Sequence, residues 1–288
     1  MSLKQRIAEN RILIAPGVYD GLTASIATDA GFEALYLSGA AVSYTRLGRP
    51  DIGLTSASEM ADTIALVRDR TETPIIVDAD TGFGNALNAQ RTIRIYERMG
   101  ANALQMEDQT YPKRCGHLKD KSLIGTGEMV GKIKAMADAR QSEETLIIAR
   151  TDSIAVEGFS AAIDRASAYM EAGADVLFIE APRSRSELET IAGTFKGRIP
   201  LLANMVEGGA TPISQADQLE VIGFSIVIFP GGIVRALAKT AQDYYASLAQ
   251  HGSNKPFSGR MHDFDSLNDL IGTRDMLARG EKYDGSSN

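Results

Sequence analysis

The sequence predicts an α/β fold, a single (β/α)8 barrel of the TIM type over residues 1–250, and three observations carry that expectation. Four segments share one shape, a helical pattern that ends at glycine and is followed at once by an apolar run: Gly31 before 34–37, Gly100 before 103–106, Gly173 before 176–179 and Gly223 before 225–228. Four more apolar runs, 12–15, 74–77, 146–149 and 200–203, fall between or before them and bring the candidate strands to eight. None alternates apolar with polar residues, so both faces of each strand should be covered, as in a parallel sheet wrapped by helices. A doubly wound sheet would want a glycine-rich phosphate turn after its first strand. Ala15-Pro16-Gly17-Val18-Tyr19-Asp20 is not one.

The intervals between strands carry helical signals. Ser56 and Glu59 form a capping-box pattern ahead of Met60, Ile64 and Val67, and Ile163, Ala166 and Met170 repeat at helical spacing. The four glycines supply left-handed helix caps. Beyond residue 250 the chain leaves the repeat. The segment 251–288 is expected to be a helical extension whose Leu267, Leu270, Ile271, Met276 and Leu277 have no home on their own barrel, ending in a disordered Gly-Ser-Ser-Asn tail. A partner subunit is the expected home for those side chains.

Composition narrows the function classes. The net charge of −7 opposes nucleic-acid binding, which needs clustered Lys and Arg to displace counterions. No stretch approaches the roughly 18 apolar residues of a membrane span, so a cytoplasmic location is expected. A lone cysteine, Cys115, excludes an internal disulfide and any multi-cysteine zinc site.

In a barrel the chemistry sits where strands end, so the residues that break each apolar run are the informative ones. They are Ser38, Asp78 with Asp80, Glu107 with Asp108, Arg150 with Asp152, Glu180, Asn204 with Glu207, and Pro230. Asp78, Asp80 and Glu107 should converge from adjacent strands, and converging carboxylates repel unless a cation sits among them. Oxygen ligands without a histidine pair point to Mg²⁺ or Mn²⁺. Pairing with a neighbouring arginine such as Arg150 is the alternative. Two connections, 38–56 and 107–126, exceed the length of ordinary turns and suit binding loops. The second carries Lys113-Arg114-Cys115-Gly116-His117, then Lys119 and Lys121, a basic cluster suited to an anionic substrate. There the Cys115 thiolate would be stabilised and could move protons. His251 and His262 read as surface or interface residues.

Several stretches, taken in order, resemble the isocitrate lyase and phosphoenolpyruvate mutase superfamily. They are Ser38-Gly39, Pro50-Asp51-Ile52-Gly53, Asp78-Ala79-Asp80-Thr81-Gly82-Phe83-Gly84, Glu107-Asp108-Gln109, Lys113-Arg114-Cys115-Gly116-His117, Ala149-Arg150-Thr151-Asp152 and Ala203-Asn204-Met205-Val206-Glu207-Gly208-Gly209. The resemblance implies a Mg²⁺-dependent enzyme, commonly a homotetramer whose C-terminal helices are exchanged between subunits, acting on a small anionic 2-oxo or 2-hydroxy acid. It places Asp78 on the metal, Asp51 and Asp80 in the metal's water shell, and Glu107 in support. Ser38, Gly39 and Ala40 would hold the substrate carboxylate, together with Gly116 and His117. Arg150 would face developing negative charge, Asn204, Glu207 and Glu180 would line the pocket, and Tyr19 would join a proton relay.

The Lys-Arg-Cys-Gly-His loop resembles the carbon–carbon lyases of that superfamily, the 2-methylisocitrate and 2,3-dimethylmalate lyases. These cleave a 2-hydroxy di- or tricarboxylic acid to pyruvate or glyoxylate and a second carboxylate. Cleavage needs a proton donor for the enolate-like fragment, and Cys115 is the candidate, with His117, Lys113 and Glu180 setting its charge state. Carboxyphosphonoenolpyruvate phosphonomutase and phosphonopyruvate-processing enzymes resemble the chain as well. Oxaloacetate hydrolase is a third option, but the eighth strand ends in Phe229-Pro230-Gly231-Gly232 without the serine expected there. The same segment departs from the Pro-Leu-Ser pattern of methylisocitrate lyases.

Overall fold

The computed structural model describes residues 1–9, 11–116, 120–209, 211–212 and 215–284. Eight parallel strands close into a barrel in sequence order, with β1 returning to β8: β1 Leu13–Val18, β2 Leu35–Leu37, β3 Ile75–Asp78, β4 Ala103–Glu107, β5 Leu146–Thr151, β6 Val176–Ile179, β7 Leu201–Asn204 and β8 Ile226–Phe229. Every expected strand is present in the expected order. At the closing seam Leu13 pairs with Ile226 and Pro16 with Phe229. Gly17 is required there, since a Cβ on it would lie 2.2 Å from the carbonyl oxygen of Pro230.

The helices are α1 Leu3–Ile7, α2 Gly21–Asp29, α3 Gly39–Val42, α4 Ala57–Arg70, α5 Ala86–Met99, α6 Thr126–Ala139, α7 Ser153–Val156, α8 Phe159–Glu171, α9 Arg185–Phe195, α10 Ala216–Ile222, α11 Gly232–His251, α12 Phe264–Leu270 and α13 Thr273–Glu281. The Ser56–Glu59 capping box forms at α4, whose Met60, Ile64 and Val67 are buried. Burying side chains of that size contributes about 1.5–3 kcal/mol each. Gly31, Gly100, Gly173 and Gly223 all have positive φ, as the helix-ending pattern requires. On α8 the core face is turned from the expected stripe: Ala162, Arg165, Ala166 and Tyr169 are buried, while Ile163 and Met170 are half-buried. Arg165 and Tyr169 turn inward because Asp108 waits for them.

One apolar cluster lies between strands and helices, and a second fills the barrel. The interior cluster takes Leu13, Ala15, Tyr36, Ile76, Ala103, Ile148, Phe178, Leu202, Ile226 and Ile228, joined by Leu3 and Ile7 of α1. Side chains alternate along a strand, so the inward phase continues to Ser38, Asp78, Glu107, Arg150, Glu180 and Asn204 at the strand ends. The barrel thus selects its own rim residues.

The chain divides into two compact units, 1–234 and 235–288, with the boundary inside α11. In the second unit Phe264, Leu267, Ile271, Met276 and Leu277 are exposed. Tyr244 packs edge-on against both Tyr245 and Phe257 there. Among the described residues no helix is long and apolar enough to cross a membrane.

Candidate active site

Asp78 ends β3, and the chain then turns sharply through Asp80, whose φ of 46° lies in the left-handed region. Aspartate tolerates that conformation better than most residues. The turn is held by the Asp80 N–H donating to Asp78 Oδ1 (3.2 Å) and by the Glu107 N–H donating to the Asp80 carbonyl (2.8 Å). Asp78 is also braced from inside the barrel, where the Tyr36 hydroxyl donates to Gln105 Oε1 (2.5 Å) and Gln105 Nε2 approaches Asp78 Oδ1 (3.4 Å). The Asp78 and Asp80 carboxylates crowd Gly39, where an added Cβ would stand 3.1 Å from Asp78 Oδ2.

The acidic residues do not meet as one bare cluster. Among the described residues no group of three His, Cys, Asp or Glu side chains is arranged to hold a metal directly. Lys113 instead reaches in from the long loop, its Nζ 2.6 Å from Asp51 Oδ1 and 2.8 Å from Asp80 Oδ1. Glu107 faces Arg150 Nη1 at 3.2 Å. The pairing alternative is therefore realised for Glu107, and a lysine on the cysteine loop does the same for Asp51 and Asp80. Burial would lower the Lys113 ammonium, but Asp80, Asp78, Asp51 and Glu107 together hold it well above its ordinary range.

Compensation is incomplete. Among the described residues Asp51, Asp80, Glu107 and Asp152 pair with three cations, Lys113, Lys121 and Arg150, and Asp78 lies beside them. Glu107 Oε1 is buried without a hydrogen-bond partner. Burial pushes Asp80 up to about 7 against the pull of Lys113, and pushes Glu107 up despite Arg150. An excess of buried carboxylate with an orphaned oxygen fits a divalent cation that keeps most of its waters, which needs only one or two carboxylates as direct ligands.

Arg150 is the centre of the opposite wall. Asp152 grips it through Nε to Oδ2 (3.0 Å) and Nη2 to Oδ1 (3.1 Å), Glu180 Oε2 lies 3.7 Å from Nη2, and the Phe178 ring stands 5.1 Å from its guanidinium carbon. Asn204 Nδ2 donates to Glu180 Oε2 (3.2 Å), leaving Asn204 Oδ1 buried without a partner. Gly116 packs directly on this wall: a Cβ there would fall 2.4 Å from Arg150 Nη2 and 3.1 Å from Glu180 Cγ.

The cysteine loop is tied to the rim at several points. Gln109 exchanges two hydrogen bonds with the Arg114 backbone (2.8 and 2.9 Å), and the Cys115 N–H donates to the Asp51 carbonyl (3.2 Å). Cys115 is half-buried. The expected basic cluster separates into parts: Lys113 and Lys121 turn inward, while Arg114 lies outward, 3.5 Å from Asp120. His117 and Lys119 lie outside the described residues. Lys113, two residues before Cys115, is thus engaged with carboxylates.

The remaining expected residues are spread around the rim. Ser38 is buried and its Oγ accepts from the Ala41 N–H (3.2 Å), which leaves its own proton to donate; Gly39 is buried beside it and Ala40 half-buried. Tyr19 follows β1, and burial together with Asp20 raises its pKa, so at neutral pH its hydroxyl keeps its proton and can donate it in a hydrogen bond. Glu207, after β7, is exposed. Two residues that the sequence marked only as strand-end carboxylates, without a role, brace this wall. Asp108 accepts from Thr151 Oγ1, the Asp152 N–H, Arg165 and Tyr169, and Asp152 binds both Arg150 and Lys121. The inward phase of β5 was the signal available for Asp152.

A closed parallel barrel with buried acids and bases, only partly compensated, at the carboxyl ends of its strands defines an α/β-barrel enzyme. The phosphoenolpyruvate phosphomutase family model matches residues 3–249. The chain belongs to that family, within the PEP mutase/isocitrate lyase superfamily. It is 45% identical to 2-methylisocitrate lyase of Aeropyrum pernix (96% of this chain, 88% of the relative) and 39% identical to 2,3-dimethylmalate lyase of Eubacterium barkeri (94% and 93%). It is also 40% identical to the chloroplastic carboxyvinyl-carboxyphosphonate phosphorylmutase of Arabidopsis thaliana (92% and 79%). A crystal structure of 2,3-dimethylmalate lyase superposes with a TM-score of 0.93 at 34% identity, covering 99% of this chain and 95% of that one. Oxaloacetate acetylhydrolase gives 0.93 at 29% identity (100% and 97%). Phosphonopyruvate hydrolase, solved with oxalate and Mg²⁺, gives 0.87 at 29% (98% and 97%).

Proposed function

We propose that this chain is a Mg²⁺-dependent carbon–carbon lyase that cleaves a 2-hydroxy di- or tricarboxylic acid of the 2,3-dimethylmalate or 2-methylisocitrate type. The observation that carries the reading is Cys115, held by the Asp51 carbonyl beside an arginine–glutamate wall and above excess buried carboxylate. Asp78 would hold the cation, with Asp51, Asp80 and Glu107 around its waters, and the bound ion would polarise the 2-oxygen and the neighbouring carboxylate. Ser38, Gly39 and Ala40 bind that carboxylate.

In the cleavage the 2-hydroxyl gives up its proton to a rim carboxylate, for which Glu107, with its unpartnered Oε1, is the candidate; its electron pair closes the carbonyl, and the carbon–carbon pair passes to the departing fragment. Arg150, fixed on two sides, faces the charge that develops there. The Cys115 thiol donates the proton that converts the departing enolate into a carboxylate, and Tyr19 supplies a second donor at the rim. Glu180 and Asn204 orient the far end of the substrate.

The assay is 2-oxo acid release from 2,3-dimethylmalate, 2-methylisocitrate and related acids, with and without EDTA. Release that is lost in EDTA and falls 10²-fold or more in Cys115→Ser supports the reading. No 2-oxo acid from the whole panel, or an unchanged rate in Cys115→Ser, sinks it. The Arabidopsis relative favours a second reading as a phosphonomutase, and phosphorus NMR after incubation with phosphonopyruvate would reveal a change at the carbon–phosphorus bond. We further propose a cytoplasmic homotetramer with exchanged C-terminal helices; the exposed apolar side chains of the second unit support its association.

A further inference from the structure

Asp152 sits two residues beyond Arg150, in the same inward phase of β5, and its side chain is fully buried. One of its oxygens, Oδ1, accepts from two cations at once: Arg150 Nη2 at 3.1 Å and Lys121 Nζ at 2.6 Å. Its other oxygen takes Arg150 Nε at 3.0 Å. Lys121 also donates to the carbonyl of Gly116 at 2.5 Å, immediately after Cys115, and Gly116 is the residue pressed against Arg150 and Glu180. The carboxylate does not float. Its backbone N–H donates to Asp108 Oδ1 (3.0 Å), and Asp108 is itself clamped by Thr151, Arg165 and Tyr169. A continuous line of hydrogen bonds therefore runs from α8 through Asp108 and Asp152 to both walls of the site.

We propose that Asp152 is a positioning residue whose single carboxylate fixes the Arg150 guanidinium relative to the backbone carrying Cys115, with Lys121 as the link to that backbone. The inference rests on the lyase reading for the roles of Arg150 and Cys115, while the link itself is a property of the protein without substrate. A carboxylate is needed because two cations converge on it. An amide of the same shape has one uncharged acceptor oxygen, so the bond from Arg150 Nε is lost and the two cations on Oδ1 lose their counter-charge.

The test uses the full chain and two variants, Asp152→Asn and Lys121→Met, with two readouts. Since Cys115 is the only cysteine, its alkylation rate by iodoacetamide at one fixed pH reports the loop without any turnover. The dissociation constant for oxalate in the presence of Mg²⁺ reports Arg150. Asp152→Asn is expected to change both, raising the alkylation rate at least fivefold and weakening oxalate at least tenfold. Lys121→Met should raise only the alkylation rate, leaving oxalate affinity within threefold. A folded Asp152→Asn protein with both readouts within twofold of the original overturns the proposal. If Asp152→Asn does not fold, Lys121→Met decides alone: an alkylation rate within twofold overturns it, and selective acceleration supports it. Failure of the original protein to release any 2-oxo acid would sink the lyase reading while the alkylation results still judge the link.

Discussion

Arg150 is held by Asp152 through two of its nitrogens, approached by Glu107 and Glu180, and backed by the Phe178 ring. Those contacts use the planar fork of a guanidinium, which a lysine cannot reproduce. Arg150→Lys should therefore keep the fold and lower kcat by about 10²–10³-fold, measured as 2-oxo acid release at saturating substrate. A drop of less than fivefold would remove Arg150 from the chemistry. Much of this rim was legible beforehand, because Asp78, Glu107, Arg150, Glu180 and Asn204 each interrupt an apolar run. The partnerships were less so. A sequence shows that Lys113 is basic and near Cys115 in the chain, but not that its ammonium would lie between Asp51 and Asp80. That depends on how a long loop folds back, which no periodicity encodes.

At the level of strands and helices the pattern was readable throughout, since continuous apolar runs and glycine caps are local signals. The exception is the α8 face. Arg165, a charged residue off the stripe of Ile163, Ala166 and Met170, is buried, pairing with Glu157 (2.7 Å) and reaching Asp108 (3.2 Å), a tertiary demand that overrides the local stripe. The β4–β5 junction built on that network has a pH signature. Burial would raise the Asp152 pKa, but Arg150 and Lys121 overcome it and hold the carboxyl below its ordinary 3.8. A depressed folded-state pKa adds stability that is present above the unfolded value and is lost as pH falls through the folded one. In urea melts the stability gap between the original protein and Asp152→Asn should hold steady from about pH 5 to 8 and shrink below about pH 4. A gap that widens on acidification would contradict the assignment.

On the scale of the whole molecule, Phe264, Leu267, Ile271, Met276 and Leu277 are large apolar side chains left exposed close together in the chain, as expected of a segment that a partner covers. Light scattering behind a sizing column should give four times the chain mass of 30.9 kDa, and a single-chain mass would refute the tetramer. The sequence offers only an unpaired helical pattern as a sign of association, because one chain cannot display its partner. The ion pairs of Lys113 with Asp51 and Asp80 also bear on the life history of the protein. A site that carries its own ammonium among the acids does not have to wait for a divalent ion in order to fold, unlike small domains that collapse only around their metal. On the proposed metal-dependent reading, folding and loading would then be separate events, and a newly made chain would mature in metal-poor surroundings and become competent later. Stripping with EDTA should abolish turnover yet lower the melting temperature by no more than about 3–4 °C, the scale of roughly 1 kcal/mol of lost ligand binding in a chain of this size. Unfolding on chelation would show that the resident lysine is no substitute.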